Sequence, residues 1–260
     1  MLTEWMRAQC AQYEETRAGW QFVPLRVTAT LTQPISITRP QDLQFDGLIA
    51  HTILHALFEH EAYTLPDVRE AWIWVPLPFA MQGACFTAPT GALLTPEQIA
   101  APWWYACSTP LLDVQGHTKQ FWNKRFRTGA ESDFLDFGKK RGTIVIEAGT
   151  YKAYHQPLML LQTHVITWHV VGDRAMLTEA VRHISAIGKK RGYGYGAVQN
   201  WTIEPDDADH SLYTADGTLL ARPVPIAALG QLGYTGSYAQ EYIAFRAPGW
   251  LPANQTLCAV

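Results

Sequence analysis

The feature that most constrains this chain is a pair of strand–helix–strand patterns held apart by a long stretch of different character, residues 80 to 162. In the first pattern, Leu25, Val27, Ala29 and Leu31 alternate with Arg26, Thr28 and Thr30, the period of two that a half-buried strand requires. Pro34 and Pro40 then break the chain, and Asp46 is placed to cap a helix whose apolar face is Ile49, Ile53, Ala56, Leu57 and Phe58. His51, Thr52, His55 and Glu59 fall on the other face of that helix. Ala71 to Val75, with Trp72 and Trp74 on one side, reads as a second strand that Pro76 and Pro78 end.

The second pattern repeats this order. His164 to Val171 sets Ile166, Trp168 and Val170 on one strand face, and Asp173 opens a helix with Leu177, Ala180, Val181, Ile184 and Ile187 at core spacing. Gly188 is expected to end that helix, and Ala197 to Glu204 is expected to follow as a strand. The order predicts an α+β class and a ferredoxin-like (RRM-like) βαββαβ unit over residues 1–204, interrupted by the insertion at about 80–162. The insertion is too long for a plain loop and must carry structure of its own. Residues 205–260, rich in Gly and Pro after Asp206, Asp207 and Asp209, are expected to form an irregular extension packed on the main unit.

The chain as a whole is not a polycation. Its net charge is −3 and only 17% of its residues are charged, so any nucleic-acid site has to be local. With 48% hydrophobic residues it can bury a sizeable core. Cys10, Cys85, Cys107 and Cys258 lack the paired spacing of a zinc site and are expected to be reduced thiols. No apolar run reaches the length of a membrane span, and Met1 to Arg17 has no signal-like core, so a cytoplasmic protein without a membrane partner is expected. No cofactor or metal is expected.

The positive charge concentrates in two places. Gly188-Lys189-Lys190-Arg191-Gly192-Tyr193-Gly194-Tyr195-Gly196 combines glycines that let a backbone approach a ligand, three cations for phosphates and two tyrosines that can stack on bases. A capped turn with solvated charges is equally compatible with that composition. The pentapeptide Gly-Lys-Lys-Arg-Gly occurs twice, and its other copy brings Lys139, Lys140 and Arg141 into the insertion. Upstream of that copy, Lys119, Lys124, Arg125 and Arg127 interleave with Phe121, Trp122 and Phe126, a mixture suited to single-stranded nucleic acid or to a plain amphipathic hairpin. From Lys119 to Gly142 there are seven basic and three acidic side chains, so this segment is expected to project from the sheet.

Phe45-Asp46-Gly47-Leu48-Ile49-Ala50-His51 after an N-terminal strand, with the glycine-rich loop after the second helix, resembles the RAMP superfamily of CRISPR proteins. Within it the chain looks most like the Cas-five-like subunit of type IV effector complexes, over approximately residues 24 to 204. That resemblance implies a non-catalytic subunit of an antiviral or anti-plasmid ribonucleoprotein. Such a subunit binds the five-prime handle of the guide crRNA, caps a filament of backbone subunits and contacts the large subunit, meeting target nucleic acid only through the complex. It also implies a thumb-like hairpin within the insertion. RAMP relatives that process guide RNA use histidine as acid or base, which makes His51 and His55, one helical turn apart, and His117 beside Lys119 the candidates for an alternative reading as a metal-independent endoribonuclease.

Overall fold

The alternation around residue 27 becomes β1 (Phe22–Leu31), in which Leu25, Val27, Ala29 and Leu31 are all buried. A computed structural model of the chain describes residues 4–59, 75–83, 101–124, 152–249 and 251–260. β1 lies between β7 (Val165–Asp173) and β8 (Val198–Pro205), antiparallel to both, with Val27 opposite Trp168 on one side and Ile203 on the other. β4 (Leu111–Leu112) extends this sheet at the free edge of β7, giving the order β4-β7-β1-β8. β7 and β8 are joined through α3 (Arg174–Val181), so β1 sits inside a split β-α-β unit. Mixed helices and antiparallel sheets place the molecule in the α+β class.

α2 (Phe45–Phe58) and α3 cover one face of the sheet, where Phe45 stacks on Trp168 at 5.2 Å and Leu177 is fully buried. α1 (Glu4–Thr16) lies outside α2, with the rings of Trp5 and Phe58 edge to face at 6.2 Å. Asp173 opens α3 as expected: its Oδ1 accepts from Met176 N at 2.9 Å, and its Oδ2 accepts from Gln21 N at 2.7 Å. No helix among the described residues is long and apolar enough to cross a membrane.

Several local expectations are corrected. Asp46 does not cap α2, because Gln44 already holds the extended conformation that a cap needs. Asp46 instead lies buried in the first turn, its carboxylate accepting from Gly47 N at 2.9 Å and Ala247 N at 3.4 Å. Ala56 is exposed; Leu54 takes its place in the core. α3 ends at Val181, well before Gly188, and Ile184 and Ile187 are buried by an irregular segment whose Ala186 bridges to Ala197. Four of the five residues expected to form a strand, 71–74, lie outside the described residues; Val75 is buried.

The insertion is built into the body on one side and extends as a hairpin on the other. β2 (Met81–Gly83) pairs with β3 (Trp103–Tyr105), and β5 (Gly116–Lys124) pairs with β6 (Tyr154–Gln162) over nine consecutive partners. Residues 206–223 are irregular as expected, but the chain from Val224 onward is not. β9 (Val224–Pro225), α4 (Ile226–Leu232), β10 (Gln240–Ala244) and β11 (Gln255–Ala259) form a three-stranded antiparallel sheet with a helix. This sheet has its own apolar core of Val224, Leu229, Ile243, Phe245 and Cys258, into which the insertion contributes the fully buried Trp104. Cys10, Cys107 and Cys258 are free thiols, and burial raises the pKa of each.

Candidate nucleic-acid interface

The loop 188–196 is pinned at its two ends by backbone bonds to the chain that follows β1. Lys189 N donates to Ser36 O at 2.7 Å, and Gly196 N donates to Pro34 O at 2.9 Å. The end glycines are there for space. At Gly188, φ is +88° and an added Cβ would come within 2.7 Å of Ile35 and Ser36; at Gly196, φ is +65° and the Cβ would sit 1.9 Å from Ile187 O. Gly192 and Gly194 have no atom within 4 Å of that position, so the middle of the loop is open to solvent.

The middle of the loop meets the hairpin. Period-two alternation along β5 puts Gln120 and Trp122 on the same side, and that side faces the loop. Trp122 Nε1 donates to Tyr193 Oη at 2.9 Å, Tyr195 Oη donates to Gln120 Oε1, and Lys190 Nζ lies 3.0 Å from the centre of the Trp122 ring. Tyr193 nevertheless remains 64% exposed, so a face of its ring is free to stack. The structure thus brings Lys190, Tyr193 and Tyr195 together with β5, two regions some seventy residues apart in sequence.

Lys119 lies on the opposite side of β5 from this junction, with its ammonium 5.2 Å from the Phe121 ring. Phe121 is 49% exposed and stacks on His155 at 4.3 Å, within 10° of parallel. Lys124 is the last described residue of β5; Arg125, Arg127, Lys139, Lys140 and Arg141 lie outside the described residues.

Lys189 and Arg191 turn the other way, into a cleft of about 990 Å³ between α2 and the segment that follows α3. His51, His55 and His183 line the same cleft, and Lys189 Nζ donates to Thr38 Oγ1 at its wall. The His51 and His55 rings are 4.2 Å apart. Burial, then the neighbouring His55 and Arg191, hold the His51 pKa below the ordinary imidazole value. His117 is exposed on the side of β5 that faces away from Gln120 and Trp122 and does not line the cleft.

The loop therefore presents two surfaces. Tyr193 and Lys190 with the hairpin offer stacking faces and a cation, while Lys189 and Arg191 put positive charge at the mouth of a histidine-lined cleft. The contribution of the hairpin was hinted at by its aromatic and cationic mixture, but its contact with the loop had no local sequence signal. A family model described as CRISPR type IV associated protein Csf3 matches residues 98–258, more than half of the chain. The match takes in the hairpin, the glycine-rich loop and the C-terminal sheet, and so runs further toward the C-terminus than the motifs quoted above. No curated protein matches.

Proposed function

Because the chain belongs to the Csf3 family of CRISPR type IV-associated proteins, we propose that it is the subunit that holds the five-prime handle of the guide crRNA. The single observation that carries this reading is the junction of Lys190, Tyr193 and Tyr195 with Trp122 and Gln120, which sets a cation and an exposed ring along one surface of an otherwise acidic chain. In this reading Lys189, Lys190 and Arg191 contact phosphates, Tyr193 stacks on a splayed base, and the hairpin flanks the strand as a thumb. The β4-β7-β1-β8 sheet with α2 and α3 is a ferredoxin-like RAMP scaffold, with the edge next to β7 held by Leu111–Leu112. The subunit is non-catalytic, works in the cytoplasm, caps the backbone filament and contacts the large subunit.

The test is RNA affinity as a function of salt. Replacing Lys189, Lys190 and Arg191 together with Ala is expected to weaken binding of the cognate repeat RNA and to flatten the slope of log K against log salt by about 2, since each lost phosphate contact on a single strand removes roughly 0.7. An unchanged slope, with native circular dichroism, would remove the loop from the RNA path.

A second reading, a metal-independent endoribonuclease, is favoured by His51, its pKa lowered by burial, standing beside His55 and Arg191 in one cleft. It predicts cleavage of repeat RNA in chelator, lost in His51→Ala, with a rate that rises as pH rises through an imidazole value lower than usual because the base must be unprotonated. Intact RNA after prolonged incubation leaves the binding role alone.

A further inference from the structure

We propose that the cleft between α2 and the segment after α3 binds a nucleoside monophosphate, its base on an apolar floor and its terminal phosphate on Arg191 and Lys189. One helix face and one irregular segment build the cleft. Leu48, His51, Thr52, His55 and Ala56 are spaced three and four apart along α2 and therefore share one side of it. Across from them the chain after α3 contributes Ile184, Ser185, Lys189 and Arg191. Leu43 and Ile184 are buried, and Ile37 and Leu48 are half-buried, so the deepest part of the lining is hydrocarbon. The volume, about 990 Å³, is at the upper end of the range for pockets that take a small organic ligand.

The charges around this hydrocarbon define what the ligand carries. Lys189 and Arg191 are cations throughout the neutral range, so the balance does not depend on how the histidines are protonated. Asp42 is the one carboxylate among the described lining residues, and Arg39 already holds it at 2.8 Å. The Lys189 ammonium is steadied by Thr38 Oγ1. Arg191 has no such support: among the described residues its guanidinium makes no ion pair or hydrogen bond, although it lies close enough to His51 to act on its charge. Two fixed positive charges without a counter-ion match a phosphate monoester, which carries close to two negative charges near pH 7, and a guanidinium fork can hold two of its oxygens at once. A phosphodiester inside a strand carries one charge only. The rings of His51 and His55, 4.2 Å apart, give a planar base a surface to lie against above the hydrocarbon. Inorganic phosphate would satisfy the cations and leave the hydrocarbon bare, whereas an uncharged nucleoside would do the reverse. The nucleotide satisfies both, whether it arrives free or as the phosphorylated end of the RNA strand that passes Tyr193.

The full chain, freed of nucleic acid in high salt, is titrated by calorimetry with each of the four nucleoside 5′-monophosphates, with the matching nucleosides and with inorganic phosphate. One equivalent of a monophosphate is expected to bind, at least about tenfold tighter than its nucleoside or inorganic phosphate alone. Arg191→Met is expected to weaken this binding about tenfold or more, and Arg191→Lys to recover little of it, because the planar fork is lost. Ala56→Glu is expected to abolish it by setting a carboxylate in the cleft, and an exposed helix position accepts that change without unfolding. Arg26→Met, on β1 and outside the cleft lining, is expected to leave affinity unchanged. Repeat RNA with and without a 5′-phosphate then identifies the source: displacement of the nucleotide by the phosphorylated RNA alone assigns the pocket to a strand end, and simultaneous binding of RNA and nucleotide assigns it to a free ligand. No monophosphate binding tighter than that of inorganic phosphate would overturn the pocket. So would binding that survives both Arg191→Met and Ala56→Glu. Since the nucleotide titrations contain no RNA, their failure would strike the pocket and leave RNA binding at the hairpin junction unaffected.

Discussion

At the scale of single residues, the glycine-rich loop divides into positions that shape it and positions that it displays. Gly188 and Gly196 carry positive φ with no room for a side chain, and they would be needed whether or not the loop ever met a ligand. Lys190 also adopts a left-handed backbone, at φ 59°, without being glycine. That conformation costs about 1 kcal/mol for an L residue, and the contact of its ammonium with the Trp122 ring offsets it. A contrast between glycines follows. Gly196→Ala is expected to destabilise the protein by about 2–3 kcal/mol, because its Cβ would collide with Ile187 O and the backbone angle would be strained as well. Gly192→Ala, in open space and without a positive φ, is expected to change the thermal midpoint hardly at all. Equal losses from the two substitutions, read by thermal denaturation, would mean that the whole loop is packed and not displayed.

At the scale of elements, the decisive contact joins a loop to a strand. If Lys190 and Trp122 hold the loop against the hairpin, a double-mutant cycle of Lys190→Met and Trp122→Leu is expected to give a coupling of about 0.5–1 kcal/mol in denaturant unfolding, the range for a partly exposed cation over an aromatic ring. A coupling of zero would mean that the two elements merely lie near each other. Elements of this kind differ in how legible they were. β1 and β7 could be read directly, since burial on one face forces strict alternation, and Asp173 announced α3 through its cap. The end of α3 was misread because Ile184 and Ile187 keep helical spacing while serving the core from an irregular segment. β9, β10 and β11 were missed because strands of two to five residues between Gly- and Pro-rich turns show too little periodicity. Of the interface, the loop was visible as composition. Its contact with Gln120 and Trp122 was not, because tertiary proximity across seventy residues leaves no trace in local pattern.

At the scale of the whole molecule, one buried side chain joins the C-terminal sheet to the rest. Arg222 is 4% exposed, and its guanidinium donates to three carbonyls: Tyr105 O and Cys107 O from the insertion, the latter at 2.8 Å, and Phe245 O after β10. Burial lowers its pKa while the nearby Asp46 raises it, and burial raises the pKa of Asp46 while Arg222 lowers it, so each charge eases the placement of the other inside the protein. Asp46 in turn accepts from Ala247 N at 3.4 Å, and Gln44 Nε2 donates to Ala244 O at 2.8 Å, so the start of α2 grips the same C-terminal segment. Arg222→Met keeps much of the length and apolar volume but leaves these carbonyls without donors and Asp46 without a nearby cation. It is expected to cost about 3–5 kcal/mol in guanidinium unfolding, because several buried carbonyls lose the donor that Arg222 supplies and each such loss costs roughly 1–3 kcal/mol. Arg222→Lys is expected to recover little of this, because a single ammonium cannot reach carbonyls that a planar fork spans. The loss should also be uneven. Hydrogen-exchange protection of β10 and β11 is expected to be lost at lower denaturant in Arg222→Met than that of β1 and β7, whereas the two should be lost together in the unaltered protein. Coincident transitions at an unchanged midpoint in the variant would show that apolar packing around Trp104 holds the C-terminal sheet in place by itself and that Arg222 only fills space.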